Sequence, residues 1–260
     1  MNIFKSDEPV DISEHMLATY QSLRVVLCII ALLFPWVLWI GGYISNEHLE
    51  LQPSMSDYYH AGGGVMRDWF VGGLFSISGL LFVYKGYRPA ENLALNLAAV
   101  LAVLVALFPN TSDLPFHGIF AVCFFLCIAY VCIFCASATL PLVKEDRRVY
   151  YRRTYKLLGY AMVISPVIAA ILTYALRVRH SYIFVAEFCG VYAFAIYWIV
   201  KTKEISETHA DRKAAQGELL LPAGEGASDA IREMPVIDVK RQNTDVSGAR
   251  IGDVRHGREK

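Results

Sequence analysis

Six apolar runs divide this chain, and their lengths decide what it can fold into. They extend from about Leu23 to Ile44, Trp69 to Tyr84, Leu93 to Phe108, Phe116 to Val143, Leu157 to Leu176 and Tyr182 to Val200. A helix rises about 1.5 Å per residue, so roughly 20 apolar residues cross about 30 Å of hydrocarbon. Lipid offers no partner to backbone N–H and C=O groups, and continuous apolar runs of this kind satisfy them as helices. The expected fold is therefore all-α: a polytopic six-helix transmembrane bundle over residues 23–203, between a polar cytoplasmic N-terminal segment (1–22) and a disordered cytoplasmic C-terminal tail (204–260). The second and third runs are short and recruit Asp68, Asn92 and Tyr87 to the interfaces. The first run follows a long polar stretch and exceeds the usual signal-peptide length, so it is read as a permanent helix, kinked at Pro35.

Composition agrees. Of 260 residues, 55% are hydrophobic and 18% charged, too apolar a balance for one ordinary water-soluble domain. Lys+Arg 24 against Asp+Glu 24 leaves no net field to hold nucleic acid. All six cysteines, Cys28, Cys123, Cys127, Cys132, Cys135 and Cys189, fall inside apolar runs, which excludes a secreted disulfide framework.

Positive residues resist translocation, so the loop holding Lys144, Arg147, Arg148, Arg152, Arg153 and Lys156 is expected to be cytoplasmic. Lys85 and Arg88, then Lys201 and Lys203, agree. Arg177 and Arg179 vote the other way and are expected to be held outside by anionic partners or lipid phosphates. The reading is a multi-pass protein of a bacterial inner membrane with both termini cytoplasmic. After Lys203 the sequence loses apolar periodicity and reads as a soluble tail that offers short segments to a protein partner.

Polar chemistry gathers on the outer side. The first outer loop carries Ser54, Ser56, Asp57, Tyr58, Tyr59 and His60, then Gly62-Gly63-Gly64, with Arg67 and Asp68 entering the second helix. On a helix, Asp57 and His60 share a face, so the acid can orient or charge the imidazole. Arg67 points away from Asp68 and is left to pair with a phosphate or another carboxylate. The third loop places Asp113 and His117 at the mouth of the fourth helix. Glu187 lies six residues past Ser181, about 9 Å inside the sixth helix, where an acid needs a partner; Arg67 and His117 are the expected ones. Glu187, His117 and the first loop should therefore converge. Gly72, Gly73 and Gly79 read as close helix packing. Neither compact metal-ligand spacing nor a phosphate-binding glycine loop is present, so no metal or other cofactor is expected; histidines on one side also disfavour haem.

The runs Pro53-Ser54-Met55-Ser56-Asp57-Tyr58-Tyr59 and Met66-Arg67-Asp68-Trp69-Phe70-Val71-Gly72, followed by Tyr84-Lys85-Gly86-Tyr87, resemble a group of uncharacterised bacterial six-span membrane proteins. That resemblance implies a His-led fourth helix and a Glu in the last, matched by His117 and Glu187. A Ser-x-Ser-Asp outer loop within six spans is more distantly similar to the Frag1/DRAM-type membrane proteins, some of which are linked to lipid-anchor remodelling or membrane trafficking. Alkaline-ceramidase-like hydrolases would require an H-x-x-x-H in the last helices, which this chain lacks.

The leading expectation is an outward-facing polar pocket that binds a lipid head group or lipid-linked glycan, using Arg67, Arg177, Arg179 and His180 with the tyrosines and Glu187. One alternative is a membrane hydrolase in which Asp57, His60, Asp113, His117 or Glu187 activates water, with or without zinc. Another is a proton-coupled carrier of small solutes built on Glu187.

Overall fold

Long stretches of Leu, Ala, Ile and Val broken by few glycines or prolines carry the backbone helically through most of the chain. The computed structural model describes residues 12–45, 50–108, 116–176 and 181–219. The helices are α1 (Ile12–Ser45), α2 (Val65–Val83), α3 (Pro89–Leu107), α4 (Phe116–Tyr130), α5 (Glu145–Ala170), α6 (Tyr182–Thr208) and a short α7 (Ala210–Ala215). A six-residue 3-10 helix, Met55–His60, precedes α2. Gly62, Gly63 and Gly64 follow it with φ of 65°, 61° and 105°. Three consecutive left-handed residues turn the chain into α2, a path that side chains with a Cβ resist.

Several boundaries lie beyond the apolar runs. α1 starts about three turns before Leu23 and α2 takes in Val65–Asp68, because polar interfacial residues are good enough helix formers to continue a turn already nucleated. α3 opens with Pro89 in its first turn, where a missing N–H costs nothing. α6 does not stop at residue 203: it runs to Thr208 and turns into α7 through His209, a non-glycine residue at φ 52°. The expected start of the tail is therefore ordered helix.

Two helices leave regular geometry. α4 passes into a π turn (Val131–Cys135) and a 3-10 segment (Ala136–Leu142) containing Pro141. α5 carries Pro166 and ends in a π turn, Ile171–Ala175.

Each of α1 to α6 packs on its chain neighbours, and α6 closes the ring onto α1. The helices alternate in direction, as bonds between Phe184 and Pro53 and between His117 and Phe108 at one end, and between Tyr87 and Asp211 and between Thr139 and Glu204 at the other, require. The end holding the Met55–His60 helix, here the cap end, receives the C-termini of α1 and α3 and the N-termini of α2, α4 and α6. The opposite base end receives Tyr84, Thr139, Tyr155 and Lys201. Among the described residues, five helical stretches are long and apolar enough to cross a membrane: Glu14–Ser45, Gly62–Val83, Pro89–Leu107, Phe116–Leu142 and Tyr182–Thr208. α5 differs because Arg147, Arg148, Arg152, Arg153 and Lys156 fill its first turns before its apolar part begins.

The larger core joins Leu27, Ala31, Leu95, Ala98, Ile128, Met162 and Phe194 along the ring axis. A smaller one, Phe34, Leu38, Met55, Tyr58, Met66, Phe70 and Phe184, seats the cap. Gly73 belongs to a close α1–α2 approach, since a Cβ there would lie 2.6 Å from the Phe34 ring. Gly72 and Gly79 meet nothing within 4 Å, so the packing role expected of them is not theirs.

Candidate functional site

The cap is built by its own sequence. Ser54 precedes the 3-10 helix in extended conformation and Asp57 stands three residues on, which forms a reciprocal capping box. Ser54 N–H donates to Asp57 Oδ2 at 3.1 Å, and Ser56 N–H to Ser54 Oγ at 3.2 Å. Buried Tyr58 packs edge-on against Phe184 of α6 and accepts a hydrogen bond from Gln52 N–H.

Three bonds then fasten this loop to the first turns of α6. Phe184 N–H, one of the donors that a helix start leaves unmet, donates to Pro53 O at 2.7 Å. Ser54 Oγ donates to Glu187 Oε1 at 2.7 Å, and Met55 N–H to Glu187 Oε2 at 2.6 Å. Because the Ser54 hydrogen is committed to Glu187, Ser56 Oγ is the donor in its 2.9 Å contact with Ser54 Oγ. Glu187 thus meets the first loop as expected, but through a hydroxyl and a backbone N–H rather than through a cation.

Arg67 is elsewhere. Its Nε and Nη2 both donate to Asp68 Oδ1 at 3.2 Å, and the pair is largely exposed. The expectation that neighbouring residues on a helix must diverge fails because both sit in the first turn of α2, where long side chains can fold back along the surface. Asp57 likewise turns to the Ser54 N–H, while His60 is exposed with its ring against Tyr59. Arg67, Asp68 and Tyr59 line a separate groove with Val71 and Leu107.

His117 is buried at the start of α4. Its Nδ1 lies 2.8 Å from Phe108 O and 3.1 Å from Val105 O. Two carbonyls accept only, so Nδ1 carries the hydrogen, and in the neutral ring Nε2 is an acceptor. The end of α3 therefore occupies this nitrogen of the ring. Asp113 itself, with Arg177, Arg179 and His180, lies outside the described residues.

Glu187, His117 and Ser56 line one cavity of about 100 Å³. Its remaining wall is apolar and drawn from five helices, including Phe34, Phe70, Leu74, Phe124 and Val191. The polar groups on this wall are mainly acceptors: a carboxylate with lone pairs left over and an imidazole nitrogen. Such a cavity suits an alkyl segment ending in a donor, a hydroxyl or an amine, better than it suits a phosphate.

The base end holds a second polar cluster that the sequence reading missed. Lys201 and Glu204 are 1% and 0% exposed and pair at 2.8 Å. Lys201 Nζ also donates to Thr139 Oγ1 at 2.7 Å and to Ala136 O at 3.1 Å, a carbonyl beside the break in α4. Thr139 and Tyr155 hydroxyls each donate to Glu204 at 2.6 Å. Nearby, Arg24 Nη2 donates to Asp211 Oδ2 at 2.7 Å, and the Tyr87 hydroxyl donates to the other oxygen of the same carboxylate. Burial, reinforced by Tyr84 and Asp211, holds the Tyr87 hydroxyl far above its ordinary pKa, so it stays a donor. From sequence alone Lys201 reads as a flanking topogenic charge. The available signal was its i,i+3 spacing from Glu204 at the end of an apolar run.

Among the described residues no group of three or more His, Cys, Asp or Glu side chains is placed to hold a metal ion. Compared with protein-family models, curated proteins and solved structures, the chain matches none.

Proposed function

We propose that this is a six-span protein of a bacterial inner membrane, with both termini cytoplasmic, that binds a membrane lipid in the cap-end cavity. The ring of alternating helices supports a sixth crossing by the apolar part of α5, since α6 closes onto α1 with its N-terminus at the cap. The cationic first turns of α5 lie at the base end, which the positive-inside rule makes cytoplasmic and which turns the cap outward.

One observation carries the ligand class: an apolar cavity whose polar wall consists of Glu187, His117 and Ser56. A lipid enters with an alkyl segment against Phe70, Phe124 and Val191 and presents a hydroxyl or amine hydrogen to Glu187 or His117 Nε2. A sugar hydroxyl of a lipid-linked glycan fits the same acceptors. The loop fastened to α6 by Pro53, Ser54 and Met55 is the cover of this cavity.

Native mass spectrometry of the purified protein over a lipid panel tests the reading. Hydroxyl- or amine-bearing lipids should be retained by the wild type, at least tenfold less by Glu187→Gln, and undiminished by Arg67→Ala. Loss in Arg67→Ala with full retention in Glu187→Gln would move the site to the exposed groove and reject the assignment.

A further inference from the structure

We propose that the outward face of α5 at the base end holds an anionic phospholipid from the leaflet on that side, its phosphate on Arg152, Arg153 and Lys156 and an acyl chain on the apolar residues that follow them. The face lies at the opposite end of the ring from the cap cavity. It takes from the reading above only that the apolar part of α5 crosses the membrane.

Six cations stand between Lys144 and Lys156, and the fold uses only some of them. Arg147 pairs with Glu207 at 2.9 Å. Arg148 donates to the carbonyls of Leu140, Pro141 and Val143 and so closes the end of the broken α4. Arg152, Arg153 and Lys156 are exposed and form no ion pair among the described residues. The acids of the same helix, Glu145 and Asp146, stand in its first turn, nearly two turns before Arg152. Lys156 is three residues from Arg153 and four from Arg152, the spacings at which like charges on a helix meet and repel. An anion lying across all three relieves that repulsion.

The helical period places these three on one face with Leu157, Tyr160 and Ile164, opposite the buried Tyr151, Tyr155, Leu158 and Met162. Leu157, Tyr160 and Ile164 keep 69%, 53% and 54% of their surface exposed, so no other helix of the ring covers this apolar stretch. From Lys156 to exposed Ile168 it runs about 18 Å, close to the depth of one leaflet. Its charged end lies where neighbouring helices leave the membrane: Lys201 Nζ is 5.5 Å from the Tyr155 ring and 5.9 Å from that of Tyr87, in the link between α2 and α3. Cations at that level reach head-group phosphates, and the planar forks of two arginines beside an ammonium suit phosphate oxygens. A soluble anion or an acidic peptide would answer the charges and leave the apolar stretch uncovered. A neutral lipid would cover the stretch and leave the cations repelling one another. An anionic phospholipid does both.

The full chain in maltoside micelles is offered phosphatidic acid or phosphatidylcholine with the same acyl chains, and retained lipid is counted by native mass spectrometry. Neither lipid carries the alcohol or amine that the cap cavity takes, so occupancy of that cavity does not enter the count. The wild type should retain phosphatidic acid at least tenfold more strongly than phosphatidylcholine. Glycerol 3-phosphate, the same head group without acyl chains, should not displace it. The triple variant Arg152→Gln, Arg153→Gln, Lys156→Gln should lose the preference. A control that removes three cations elsewhere at the base end, Lys85→Gln, Lys203→Gln, Lys213→Gln, should keep it. Equal retention of the two lipids by the wild type, or displacement by glycerol 3-phosphate, overturns the proposal whether or not a variant folds. A preference that survives in the first triple variant, or is lost equally in the control, overturns it as well.

Discussion

Glu187 and Glu204 sit on the same helix, the first half-buried and the second fully buried, and are treated in opposite ways. At the base end Glu204 is closed off: a lysine, a threonine and a tyrosine consume its acceptor capacity, and Lys201 in turn spends all three of its hydrogens. At the cap end Glu187 receives one hydroxyl and one backbone N–H, faces no cation among the contacts to its oxygens, and borders a cavity. The more deeply buried acid is the one whose contacts are closed, so burial alone does not mark a binding site. Spare acceptor capacity beside open volume separates them, making Glu204 a structural lock and Glu187 a group available to a ligand.

The comparison is most exposed to failure at the lock. Lys201→Met strands Glu204 in the interior and should cost about 3–5 kcal/mol, measured by unfolding in mixed micelles, because the survivor of a buried ion pair is left uncompensated. Adding Glu204→Leu should recover part of that loss. A cost for Lys201→Met below that of any Glu187 substitution would reverse the assignment of roles.

At the cap, Glu187→Leu leaves the Ser54 hydroxyl and Met55 N–H without an acceptor, and a loss of about 2 kcal/mol is expected in the same assay. Sequence reasoning alone allows leucine to stabilise the bundle while abolishing function; the two donors from the loop argue against that. Glu187→Gln keeps one acceptor oxygen and should cost about half as much.

Gly190 lies one turn below Glu187, and a Cβ there would come within 2.5 Å of Ser165 Oγ and 3.3 Å of Phe125. Gly190→Ala should cost about 1 kcal/mol through overpacking and reduce lipid retention by pushing the Phe125 wall into the cavity. The smallest effect belongs to Arg67→Gln, under about 0.5 kcal/mol, since an exposed pair contributes little. A larger loss would show that the groove beside Asp68 deserves the role given to the cavity.

Five helices long and apolar enough to cross a membrane were legible in the sequence because apolar length is a local property. The sequence also revealed Glu187, whose charge stands alone inside an apolar run, and its meeting with the Ser54 loop. The base cluster stayed hidden for a physical reason. Lys201 and Arg24 lie at the ends of apolar runs, where cations ordinarily reach the interface, and only the packing of α7 against α1 and the break in α4 turns them into buried groups. Arg67 was misjudged for the converse reason. Its chemistry suits phosphate, but its neighbour Asp68 is within reach, and nothing in a linear pattern reports how a flexible side chain folds back. His117 was placed correctly at the mouth of α4, whereas its partners, backbone carbonyls of Val105 and Phe108, carry no sequence signature.

The central claim is occupancy of the cap cavity, and photolabelling addresses it directly. A hydroxyl-terminated lipid bearing an alkyl diazirine is added to membranes containing the protein, and labelled peptides are mapped by mass spectrometry. Label is expected on the cavity-lining Phe124, Phe125 and Val191 and is expected to disappear in Ala121→Phe, which fills the cavity without touching the bonds of Glu187. Label spread over exposed positions such as Leu97 and Ile199, and unaffected by Ala121→Phe, would contradict the account.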